Sequence, residues 1–243
     1  MAPRRVRIHV TAFGAFPGCA DNPTAQVAAR LEAQGGLASV EVLEVDARAC
    51  QRRVEEAVRA AVCSEPDAAH LWVHLGVATE MRDKAIVLET TAANEATFRR
   101  PDISGWQPTD ARVDAAFGGH HALRTALELE RVARAMCAAG LPAVAGADAG
   151  RYVCNFTYYA SLMACRRCVD NESYALFIHI PPEDVLSVDE SAARVRAALA
   201  LCAAEVEGLV SACGRFAPLH GPGSPSALVV NVARSPHGLH SAP

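Results

Sequence analysis

The residue most suited to chemistry in this chain is a cysteine placed where the sequence reads as a strand turning into a helix. The segment runs Asp148-Ala149-Gly150-Arg151-Tyr152-Val153-Cys154-Asn155-Phe156. An apolar run ends, a glycine turns the chain, and a helical pattern starts near Cys154. A thiol at a helix N-terminus meets unpaired N–H groups and the positive end of the helix dipole, which favour thiolate over thiol. The same N–H groups can hold the oxyanion of a tetrahedral intermediate. A buried structural cysteine is the competing reading, and the polar approach to Cys154 counts against it.

A thiolate that attacks an amide needs a base that later protonates the leaving amine. His179 fits that need. It lies 25 residues downstream, near the end of an apolar strand and just before Pro181-Pro182. If the strands bearing Asp148 and His179 are neighbours, the helix between them makes one right-handed crossover, and both residues emerge at the same sheet edge. By spacing alone, a core histidine is an equal reading. The imidazole would in turn need an acceptor to orient it. Glu89 is a lone acid in the extended segment Val87-Leu88-Glu89-Thr90-Thr91, and burial of a carboxylate is costly unless it is paired. An acid on a solvated strand face is the alternative. Phe13 and Phe16 flank the loop after the first strand and could wall an apolar pocket for a small flat ring, or pack as ordinary core.

Other signals carry less. Cys165-Arg166-Arg167-Cys168 has CxxC spacing, but it falls in a helical pattern without a second pair to complete a zinc site. His120-His121 lacks the spacing of a metal or catalytic pair. Gly221 and Gly223 lack the strand-to-helix context of a phosphate loop.

The elements that would position these residues alternate in type. Residues 6–13, 40–47, 70–77, 143–147 and 174–180 read as strands, and 84–94 as extended. Thr24 opens a helix, 49–63 and 121–139 read as helices, another begins near Cys154, and a long one covers 188–213. Residues 95–120 lack periodicity and read as a long surface excursion, a feature that in compact domains serves binding or gating. Such alternation implies an α/β fold with a largely parallel sheet covered on both faces. Ligands then sit beyond the carboxyl ends of strands, here at the loops after 13, 147 and 180.

The 243 residues, 51% hydrophobic, suit one large domain with a sizeable core. The formal charge of −4, without long Lys or Arg runs, argues against nucleic acid and acidic membrane surfaces as partners. Nine cysteines form an odd set without framework spacing. Cys63, Cys137, Cys202 and Cys213 fall in helical patterns and read as small core residues. A reducing, cytoplasmic setting is expected. The N-terminus lacks the apolar run of a signal peptide, and no stretch reaches bilayer length. We expect a catalytic domain over 1–214 and a tail over 215–243 that is partly disordered or docked on it. The oligomeric state stays open, a homo-oligomer included.

Together these segments resemble the pyroglutamyl peptidase I (pyrrolidone-carboxylate peptidase) family over about residues 6–213. The opening loop is similar in Thr11-Ala12-Phe13, Phe16 and Asn22-Pro23. A second stretch is similar in Glu89, Ala92, Asn94, Arg99, Pro101, Asp102 and Ser104-Gly105-Trp106-Gln107-Pro108. The third is Asp148 to Asn155 with Tyr158-Tyr159, and the fourth is Phe177-Ile178-His179-Ile180-Pro181-Pro182. The resemblance implies a three-layer α/β/α sandwich with an open, twisted, mostly parallel sheet. It also implies cysteine catalysis without metal or other cofactor, and pyroglutamyl peptides as substrates. It implies that Cys154 is the nucleophile, His179 the general acid/base and Glu89 the residue orienting it. Arg99 would assist the oxyanion, and Phe13, Phe16 and Asn22 would bind substrate. Ala12 stands where the family usually has glycine, and Pro17-Gly18 replaces a glycine pair. Two other readings stay open: another cysteine amidase on the same scaffold, and a catalytically silent binding or redox-responsive protein.

Overall fold

A computed structural model describes residues 5–117, 119, 121–168 and 172–213. The tail after 213, His120, Gly118 and the glycines at 221 and 223 lie outside these. Eight strands and five helices follow in order among the described residues. They are β1 (Val6–Phe13), α1 (Pro23–Ala33), β2 (Ser39–Leu43), α2 (Ala47–Ser64), β3 (Ala69–Val77), β4 (Ile86–Glu89) and β5 (Thr91–Ala93). After these come β6 (Ala122–Arg124), α3 (Leu129–Ala138), β7 (Ala143–Gly146), α4 (Val153–Arg167), β8 (Ser173–Ile180) and α5 (Val188–Cys213).

Six strands make one sheet in the order β2-β1-β3-β8-β4-β7, and β5 pairs with β6 in a small ribbon. Within the sheet, β2, β1, β3 and β8 are mutually parallel, and β4 is parallel to β7. The two blocks meet at one antiparallel junction, β4 against β8. One face buries α1, α3 and α5 around Leu31, Leu71, Leu88, Ile178 and Val195. The other buries α2 and α4 around Val54, Trp72, Phe156, Tyr158 and Phe177. The chain is therefore the expected α/β/α sandwich with a mostly parallel sheet.

Four expectations are corrected. β7 and β8 are not neighbours, because β4 lies between them, so α4 crosses over an intervening strand. The second strand ends at Leu43, and Asp46 caps α2 by accepting a bond from Ala49 N. The helix expected over 121–139 starts only at Leu129. Before it, Thr125 N bonds Thr90 O at 3.0 Å and Thr125 Oγ1 donates to Ala175 O at 2.7 Å, which holds the chain out of helical geometry. Residues 95–117 are irregular but not merely surface, since Ala96, Phe98, Asp102 and Val113 are buried. Asp102 is the hub. Its Oδ1 accepts bonds from Ser104 N, Ser104 Oγ and Trp106 N, and its Oδ2 accepts one from Ala47 N at the start of α2.

The described cysteines are free thiols. Cys202 is buried as expected, whereas Cys63 and Cys137 are exposed on their helices; Cys213 has no described side chain. Cys165 is buried in α4 and Cys168 follows at its C-cap. Among the described residues, no helix is long and apolar enough to cross a membrane.

Candidate active site

Three neighbouring strands and one helix start converge on a single point. Gly76 of β3 pairs in register with His179 of β8, and His179 pairs with Val87 of β4. Glu89 lies two residues further along β4. The reversed direction of β4 turns its carboxylate back towards the imidazole, and His179 Nδ1 meets Glu89 Oε1 at 2.8 Å. Both residues are buried, at 8% and 3% exposure, so this contact is shielded from water. A buried carboxylate is costly when unpaired, and the imidazole is its partner. The other oxygen, Oε2, is buried without a hydrogen-bond partner. It lies against Gly146, where a Cβ would fall 2.5 Å from it. The Glu89 main chain is tied down by Tyr158, whose hydroxyl donates to Glu89 O at 2.8 Å.

Cys154 is the second residue of α4, half-buried, with its sulfur over Gly76. Gly150, at φ 79°, turns the chain into the helix in a conformation that favours glycine. Tyr152, the N-cap residue, makes no side-chain cap bond. The N–H groups of the first turn thus keep their donor capacity beside the thiol. Asn155 bolts this turn to the neighbouring chain: its Oδ1 accepts from Ala93 N, and its Nδ2 donates to Ala93 O and Glu95 O. Arg151 spans Glu95 and Asp148 in two ion pairs, joining the loop after β7 to the 95–100 segment.

The electrostatics follow from this placement. Burial is the largest single influence on His179 and disfavours its charged form. Hydrogen bonding with Cys154 and Glu89, together with their charges, outweighs it and pushes the imidazole up to about 9. Burial pushes the Cys50 and Cys202 thiols up to about 12 and also raises Cys165.

These residues border a cavity of about 840 Å3 that includes Phe13, Phe16, Asn22, Arg99, Glu89, Cys154 and His179. Every residue singled out from sequence therefore borders one space. Phe13 is buried in its wall and Phe16 half-buried. Arg99 stands exposed at its rim. Asn22 is foremost a helix cap: its Oδ1 accepts from Thr24 N and Thr24 Oγ1, and its Nδ2 donates to Gly14 O. The Pro17-Gly18 departure is accommodated by a tight turn. Phe16 and Cys19 exchange both backbone bonds around it, with Gly18 at φ 91°. Of the three loops expected to frame the site, those after 13 and after Gly146 do so. The loop after 180 is replaced by residues 77–81 following β3. Sequence reasoning missed Gly76, Asn155, Arg151 and Tyr158 as supports, because each acts through a non-local contact that no local pattern signals. A second cavity of about 680 Å3 lies under α2, lined by Arg7, His9 and Trp72 among others, away from these residues.

A thiol at a helix start, an imidazole facing it and a carboxylate behind the imidazole are the parts needed for acyl transfer from an amide to sulfur and then to water. The family model for pyroglutamyl peptidase matches residues 6–212. A pyrrolidone-carboxylate peptidase of Levilactobacillus brevis is 32% identical over 184 residues, 74% of this chain and 85% of that protein. The crystal structure of pyrrolidone carboxyl peptidase from Thermus thermophilus has 30% identity and a TM-score of 0.65, covering 79% of this chain and 98% of that one. The enzyme from Thermococcus litoralis, at 21% identity and a TM-score of 0.69, covers 83% and 95% and is similar in fold.

Proposed function

The chain belongs to the pyroglutamyl peptidase family, and we propose that it hydrolyses the amide bond after an N-terminal pyroglutamyl residue, with Cys154, His179 and Glu89 as its catalytic set. The observation that carries the assignment is the buried 2.8 Å contact between Glu89 and His179, with the Cys154 sulfur over Gly76, the residue paired in register with His179. Glu89 accepts the Nδ1 proton and fixes the tautomer, which leaves Nε2 to exchange a proton with the thiol. The thiolate attacks the pyroglutamyl carbonyl. First-turn N–H groups of α4, with Arg99 at the rim, stabilise the oxyanion. The imidazolium then protonates the leaving amine, and the peptide departs without its first residue. Water, deprotonated by His179, hydrolyses the acyl-enzyme and restores the thiol.

The substrate fits the walls. Pyroglutamate is a neutral lactam with one N–H, one ring carbonyl and no ammonium. Phe13 and Phe16 offer apolar surface for its ring. A site that pairs the lactam N–H discriminates against rings that lack it, because its own acceptor would be stranded. Asn22, which also borders the cavity, supports this wall by holding Gly14. The free thiols suit a reducing, cytoplasmic setting, and no step calls for nucleic acid, membrane, metal or other cofactor.

The test is release of a fluorescent amine from its pyroglutamyl amide under reducing conditions, with wild type and Cys154→Ala side by side. Activity in wild type alone is expected, with little cleavage of other blocked amides. Turnover by a pure, folded Cys154→Ala sample would refute the nucleophile. Equal cleavage of other blocked amides would refute the substrate class.

A further inference from the structure

The strand beneath the nucleophile has a glycine where its neighbours have bulk. β3 is buried from Ala69 to Gly76, and a side chain in such a strand would add apolar contact. Glycine there weakens the strand and leaves nothing to pack. Its backbone does not demand glycine, since Gly76 is absent from the positive-φ glycines. What demands it is space. A Cβ at 76 would fall 2.6 Å from Cε1 and Cζ of Phe177 and 3.1 Å from Cys154 Sγ. The first distance is an outright clash, and the second presses on the sulfur itself. Because Gly76 is in register with His179, the space lies directly beside the imidazole.

We propose that Gly76 is a positioning residue: the hollow left by its missing side chain is the seat that holds the Cys154 thiol beside His179, with the Phe177 ring closing the far side. The inference rests on Cys154 being the nucleophile. It says that the thiol's place is set by β3 as much as by the start of α4. A methyl group at 76 pushes the sulfur away from the imidazole and also presses on the Phe177 ring, which packs against Phe13 and His179, so the sulfur contact is read most cleanly where that ring is absent. Displacement of a reacting atom by a fraction of an ångström to an ångström is enough to cost on the order of 10- to 100-fold in rate.

Gly76→Ala and Phe177→Leu/Gly76→Ala are made in the full chain, each compared with its own Gly76 parent. The Leu background removes the ring clash, so that the sulfur contact is read in a folded protein even if the single variant fails to fold. Two readouts are taken on the folded fraction: kcat and KM on the pyroglutamyl amide, and the rate of Cys154 alkylation by iodoacetamide across pH. We expect kcat to fall on the order of 10-fold or more in both backgrounds, with KM changed less than about two-fold. Cys154 alkylation should slow across the pH range, as the sulfur moves away from the imidazole. The proposal is overturned if Phe177→Leu/Gly76→Ala matches Phe177→Leu in kcat and alkylation, since the glycine then serves packing alone. Failure of the underlying reading looks different: Cys154→Ala, or enzyme fully alkylated at Cys154, would still turn over.

Discussion

Glu89 and His179 sit on adjacent strands of opposite direction, and the reversal lets a carboxylate two residues along β4 reach back 2.8 Å to the imidazole. Glu89→Gln keeps the shape and one acceptor oxygen but removes the charge that favours the imidazolium. We expect measurable turnover lowered on the order of 100-fold in kcat, with KM little changed. A kcat equal to wild type would remove Glu89 from its orienting role.

The same pair fixes a pH dependence of stability. His179 is raised to about 9 in the fold from a usual 6.5. Its bound proton therefore favours the folded state. That contribution is fully present below pH 6.5 and is lost as pH rises through about 9. Thermal unfolding midpoints should fall across this window more steeply for wild type than for His179→Ala, with an intermediate slope for Glu89→Gln. Parallel curves for wild type and His179→Ala would contradict the assignment.

Thiol reactivity should separate Cys154 from the rest. Burial raises Cys50 and Cys202 to about 12 and Cys165 as well, so these stay protonated and slow. Cys63 and Cys137 are exposed but lie away from the imidazole of His179. Brief treatment with iodoacetamide near pH 7, followed by peptide mapping, should label Cys154 first and abolish activity in proportion. Loss of activity that tracks Cys63 or Cys137 labelling would point elsewhere.

Asn22→Ala removes the cap of α1 and the bond to Gly14 O. Loss of the cap should cost about 1 kcal/mol of stability. The freed loop carries Phe16, so KM should rise several-fold while kcat holds. A kcat loss with unchanged KM would mean that Asn22 acts on the chemistry rather than on the wall.

Asp102→Ala strands Ser104 N, Trp106 N and Ala47 N. Unpaired buried donors cost roughly 1–3 kcal/mol each where water stays out. Because the 95–100 segment lines the cavity, a lower denaturant midpoint should come with higher KM. Asp102→Asn, which keeps one acceptor, should be milder in both.

The candidate site residues carry local signals, which single them out, while spacing alone leaves a structural reading open for each and the family resemblance assigns their roles. A glycine turn into a helix marks Cys154, a strand end before two prolines marks His179, and a lone acid among apolar neighbours marks Glu89. Their mutual placement is not legible in the sequence. Nothing in the four residues of β4 says that they run against β8 or come between β8 and β7; sheet pairing decides that. The early helix expected at 121 failed for a related reason. Leu123 and Leu127 are buried at helical spacing, yet Thr125 finds non-local partners on Thr90 and Ala175 that outweigh local periodicity. Asp102 falls in the stretch read as a surface excursion because its four donors lie in an irregular segment and at the first residue of α2.

The place of β8 between β3 and β4 also has a kinetic consequence. β8 is the last strand in sequence, and its insertion between β3 and β4 brings Gly76 beside His179 and Glu89 against it. Pairings this distant in sequence form slowly, because chain closure must precede the contacts that reward it. During refolding, helical signal should return first. The fast-alkylating thiol should return only with the last phase, so Cys154 doubles as a clock for the closing of the sheet.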